Sequence, residues 1–102
     1  MQLTLAESIS RLDRDQTDFV RLLEKDGFDL SLYRPIGVDT QTPHARDEVY
    51  VVAAGSGTFV CEDERSAFGP GDAIFVPAGK RHRFEAFTPD FCVWVIFMGP
   101  RR

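Results

Sequence analysis

The spacing of apolar positions changes once along the chain. Near the start, Leu5, Ile9 and Leu12 fall close to helical spacing on one face. Thr4-Leu5-Ala6-Glu7 has the form of a capping box, in which the threonine oxygen takes the Glu7 amide and the glutamate reaches back. This predicts a short helix over about residues 4–12, ended by the polar stretch Asp13 to Gln16. Such a helix suits covering an edge or end of a sheet; a partner-binding helix is the alternative. Beyond it the period drops to two. Phe28, Leu30 and Leu32 alternate with Asp29, Ser31 and Tyr33, which is strand spacing. Asp26-Gly27 between this run and Phe19–Glu24 predicts a hairpin, because glycine supplies positive φ at little cost. A helix over Thr17–Asp26, stopped by Gly27, competes with that reading. Five further strand candidates follow: Glu48–Ala53, Thr58–Glu62, Asp72–Val76, His82–Phe87 and Phe91–Phe97. Turns rich in glycine and proline separate them, as in an all-β sandwich or barrel.

Composition narrows the class. A chain of 102 residues forms one domain with one modest core, expected over 1–102 with the barrel at about 17–98. Nine phenylalanines favour pleated, half-buried surfaces and so reinforce the β assignment. A net charge of −4 argues against a nucleic-acid binder, which needs a basic stripe. Lys80-Arg81-His82-Arg83 is too short a basic run to change that and reads as a solvated loop. No apolar run approaches the roughly 20 residues that span a bilayer. No charged start followed by an apolar core marks a signal peptide, so a cytoplasmic protein is expected. Cys61 and Cys92 lack CxxC spacing and read as free thiols in a reducing compartment. Gly99-Pro100-Arg101-Arg102 reads as a frayed tail.

Two stretches carry the candidate chemistry. The only two histidines, His44 and His82, each stand beside a strand-like run. Glu48 follows His44 by four residues and leads an otherwise apolar strand. A buried carboxylate there needs a cation or several donors. Strand parity puts His44, Arg46, Glu48, Tyr50 and Val52 on one face if the chain is extended throughout. Two imidazoles and a carboxylate suit iron, manganese, zinc or nickel. Tyr50 reads either as a packed aromatic or as a donor to a ligand. Arg34 and Arg46 read as surface cations or as a clamp for an anion.

These stretches resemble the two motifs of small, single-domain bacterial cupins. Gly71, Pro77, Gly79 and His82 match the second motif at every spacing. Glu48 and Gly55, with six residues between them, set the register of the first and make His44 the second histidine of its pair. The resemblance covers about Gly37 to Ala86. It departs from the family pattern at Thr42, where the first histidine is expected, and at Ala86, where an asparagine is expected. It implies an all-β, cupin-type jelly-roll barrel behind the short N-terminal helix. It also implies a divalent metal held by His44, Glu48 and His82, with Thr42 or Gln41 able to add an oxygen directly or through water. A homodimer is the implied assembly.

Two functions fit this reading. One is a metal-dependent enzyme of oxygenase or isomerase type acting on a small organic molecule, with Tyr50 and Arg46 orienting the substrate. The other is a non-catalytic module that binds or senses a small ligand, which the substitution at Thr42 favours. Neither involves nucleic acid or a membrane.

Overall fold

In the computed structural model, which describes residues 1–99, the rhythm of the sequence becomes one helix and eight strands. Helix α1 spans Leu5–Asp15, three residues further than its apolar spacing suggested. Thr4 caps it by accepting from the Glu7 amide. At the far end Gln16 turns left-handed, and the Thr17 amide bonds back to the Leu12 carbonyl. That closing turn satisfies the last carbonyls, so the polar residues extend the helix instead of ending it.

Strands β1 (Phe19–Lys25) and β2 (Phe28–Tyr33) form the expected hairpin, with Gly27 at φ 89° in its turn. The remaining strands are β3 (Asp47–Ala54), β4 (Gly57–Cys61), β5 (Glu64–Phe68), β6 (Ala73–Val76), β7 (His82–Glu85) and β8 (Cys92–Met98). They build two antiparallel sheets, one in the order β1-β2-β8-β3-β6 and one in the order β5-β4-β7. Their facing sides enclose Tyr50, Val52, Phe59, Phe68, Val76, Phe84, Phe91, Val93 and Val95. This is the two-sheet jelly-roll arrangement expected from the sequence.

Strand β5 has no counterpart among the sequence-based expectations. Its residues Glu64 to Ala67 are all exposed, so no apolar alternation announces it. It is an edge strand, paired along one side only with β4 through a tight turn in which Glu62 adopts φ 51°.

In β2 the apolar set faces outward. Leu32 packs with Leu12, Val20 and Cys92 in a second cluster under α1. Asp29, Ser31 and Tyr33 point to the barrel interior and are buried. The helix therefore covers the outer face beside the edge strand β1. Both cysteines are free thiols. Gly99 is tied to the Gly27 carbonyl by its amide at 2.9 Å; the rest of the expected tail lies outside the described residues.

Candidate metal centre

The two motif stretches meet because their strands pair. β3 lies against β6, with Glu48 opposite Val76 and Tyr50 opposite Ile74. The turn that follows β6 is stitched to the start of β3 and the segment just before it. The Gly79 amide donates to the His44 carbonyl, and the Ala78 amide donates to Asp47 Oδ1, both at 2.8 Å. The chain then crosses to the smaller sheet, where His82 opens β7.

His44, Glu48 and His82 come together, with candidate ligand atoms within 4.8 Å of one another. Glu48 is 1% exposed. Its Oε1 lies 2.9 Å from His82 Nε2 and 3.7 Å from His44 Nε2. Among the described residues, both carboxylate oxygens nonetheless lack an aligned hydrogen-bond donor. His82 Nε2 is instead in line with the Tyr50 hydroxyl, at 3.0 Å. A buried carboxylate without aligned donors is costly unless a cation compensates it. Two imidazole nitrogens and an under-satisfied carboxylate at one point form a donor set that fits a divalent metal.

The histidines differ in their surroundings. His82 Nδ1 lies 3.0 Å from the Lys80 carbonyl, which can only accept, so Nδ1 carries a proton and Nε2 faces the site. Burial opposes the His82 cation, but contact with Glu48 and the bond to Lys80 outweigh it and raise its pKa above 6.5. His44 is half-exposed. Burial and then the neighbouring His82 lower its pKa, while Glu48 offsets only part of that.

Tyr50 is completely buried and its hydroxyl lies 3.0 Å from Gln41 Oε1. Its ring packs edge-on against Phe84, at 4.9 Å between centroids. Of the two readings of this tyrosine, the structure shows the packed aromatic, with its hydroxyl turned to His82 Nε2. The two arginines are differently placed. Arg46 is buried, donating from Nη1 to Asp29 at 2.8 Å and from Nε to the Gly99 carbonyl at 2.9 Å. Arg34 is bound to Asp13 of α1 and does not reach the site. A cleft of about 400 Å³ lined by Phe19, Arg21, His44, Arg46 and Phe97 opens beside His44.

Asp39 and Gln41 belong to this constellation too; the resemblance offered Gln41, with Thr42, as a source of oxygen, and nothing in the sequence pointed to Asp39. Asp39 is buried in the loop before β3 and accepts four hydrogen bonds. They come from the Tyr33 hydroxyl, the Gln41 amide, Gln41 Nε2 and the Phe84 amide. Thr42, by contrast, is exposed.

Comparison with known proteins places these features. The chain matches the cupin domain family over residues 30–98, more than half its length. An uncharacterised protein of Streptomyces coelicolor is 39% identical over 62 residues, which cover 61% of this chain and 59% of that relative. The match thus spans less than two thirds of that relative. The solved structure of KdgF from a Halomonas species is 26% identical, with a TM-score of 0.69 over 82% of this chain and 78% of that one. A Ralstonia eutropha protein provisionally named a mannose-6-phosphate isomerase is 25% identical, with a TM-score of 0.66 over 80% and 83%. A cupin-2 domain protein of Shewanella frigidimarina shares the fold at 17% identity, with a TM-score of 0.72 over 98% and 94%.

Proposed function

This chain belongs to the cupin domain family, and on that premise we propose that it holds a divalent metal and acts on a small organic molecule admitted beside His44. The observation that carries this reading is Glu48, buried between two histidines with no aligned donor on either oxygen. His44, Glu48 and His82 would hold the ion. When bound, it would supply Lewis-acid or oxygen-activating chemistry. Each remaining role falls to the protein. The bond from His82 Nδ1 to Lys80 orients the ring and keeps Nε2 toward the site. Glu48 contributes the negative charge. Tyr50, whose buried hydroxyl lies between Gln41 and His82, would orient a substrate oxygen that enters among the candidate ligands. Phe97 packs edge-on against His44, with centroids 5.0 Å apart, and dries that side. Arg46, paired with Asp29 at the cleft wall, would orient the substrate there.

Metal analysis of protein purified without an affinity tag tests the proposal. The expected result is near-stoichiometric metal, weakened in Glu48→Gln. Less than about a tenth of an equivalent, not restored by iron, manganese, nickel or zinc, would overturn it. So would a Glu48→Gln protein that keeps both its metal and its thermal stability.

One observation favours the second reading, a binding or sensing module. The Tyr50 hydroxyl is buried and held by Gln41 and His82, so among the described residues the cleft offers no acid–base pair beyond the candidate ligands. Metal and ligand binding without turnover would support that reading. The expected homodimer is part of this proposal, and light scattering checks it. No helix among the described residues is long and apolar enough to cross a membrane.

A further inference from the structure

The position where the family motif places its first histidine is Thr42, and Thr42 is exposed. The preceding residue reaches the site in its stead. Gln41 Oε1 lies 3.1 Å from His44 Nε2 and 3.0 Å from the Tyr50 hydroxyl. The Tyr50 hydroxyl is 3.0 Å from His82 Nε2, which is 2.9 Å from Glu48 Oε1. Glu48 Oε1 is 3.7 Å from His44 Nε2, and so the polar atoms close into a ring.

The orientation of the Gln41 amide is determined by its other end. Its Nε2 donates to Asp39 Oδ2 at 2.9 Å, and flipping the amide would set oxygen against that carboxylate. Asp39 is itself held by Tyr33, the Gln41 amide and the Phe84 amide of β7. This network directs one neutral oxygen, an atom that can only accept, toward the candidate ligands. In the metal-free protein that oxygen accepts a hydrogen bond from the Tyr50 hydroxyl or from His44 Nε2. The same lone pairs suit a cation.

We propose that Gln41 Oε1 is a fourth metal ligand, supplying oxygen where the family motif supplies imidazole. This rests on the reading of His44, Glu48 and His82 as ligands. It also shifts the class of ion. An amide oxygen is a harder donor than an imidazole nitrogen, so the site favours manganese or iron(II) more than a three-histidine site would.

The test is titration of metal-free protein with manganese and with nickel, followed by calorimetry and by the electron-spin signal of free manganese. Gln41→Leu is expected to weaken manganese binding about 10–100-fold. Gln41→His, which puts nitrogen in place of oxygen, is expected to raise nickel affinity relative to manganese. A merely structural role for Gln41 would not produce that swing in selectivity. Should the leucine variant fail to fold, Gln41→Asn keeps the amide but stops one methylene short, and the same weakening is expected. If Gln41→Leu binds manganese within twofold of the parent while Glu48→Gln has lost it, the three-residue site stands and Gln41 is not a ligand. If the parent protein binds neither ion, the underlying site falls and the role of Gln41 with it.

Discussion

Asp39 shows how much a single side chain can organise here. It accepts from two side chains and two backbone amides and joins the segment before β3 to β7 across the barrel. Asp39→Ala would strip the acceptor from all four donors in a largely buried place. Each unsatisfied buried donor costs on the order of 1–3 kcal/mol, so a total loss of about 3 kcal/mol or more is expected. Urea denaturation at constant slope checks this; a loss under about 1 kcal/mol would mean that water replaces the carboxylate. This hub was not evident in the sequence, and Gln41 stood there only as an alternative to Thr42. His44, Glu48 and His82 stand out because they are rare residues at fixed spacings in otherwise apolar runs. Asp39 and Gln41 sit in an irregular loop, where no period of two or 3.6 says which way a side chain points. The strand-parity argument placed Arg46 beside Glu48, and it missed that Asp29 of β2 would pair with that arginine.

Among the elements, those legible in advance are the ones with an apolar face and a turn at each end. The β1–β2 hairpin is an example, and so are β3 and β8, which lie at the centre of the larger sheet. β5 was hidden because an edge strand with solvent on both sides has no pattern to display. The turns can be tested individually. Gly55 follows β3 at φ 84°, and a Cβ there would stand 2.5 Å from Phe91 Cα and 2.7 Å from Thr88 Oγ1. Gly79 has a similar φ of 83°, but a Cβ would meet nothing within 4 Å. Gly79→Ala is therefore expected to cost about 1–2 kcal/mol, the left-handed backbone penalty alone. Gly55→Ala carries that penalty plus a clash with backbone, and a loss well beyond 2 kcal/mol is expected. Thermal unfolding of the two variants side by side checks the order. Equal losses would show that the loop leading into β8 moves aside freely.

For the molecule as a whole, the two tyrosines give a simple readout. Burial, then the bond to Asp39, holds the Tyr33 hydroxyl well above its ordinary pKa of 10.0. Burial, followed by the charge of Glu48, does the same for Tyr50. Both folded-state values are raised. The stability these groups contribute is thus fully present below pH 10 and is lost as pH rises beyond it. The expected loss is about 1.4 kcal/mol per pH unit for each tyrosine, because only the unfolded chain releases its protons. The phenolate absorbance should accordingly appear together with unfolding, not before it; phenolate in the still-folded protein would contradict the buried network. The sheet assignment of the candidate ligands has a wider consequence. Glu48 belongs to the five-stranded sheet and His82 to the three-stranded one. A cation bound by both would act as a cross-link between the halves of the sandwich, with its chemical potential added to the folding equilibrium. At a free concentration of 100 times its dissociation constant, that coupling amounts to about 2.7 kcal/mol. The melting temperature would then serve as a gauge of the metal supply, and scarcity of the ion would be felt first as a protein more easily unfolded and degraded.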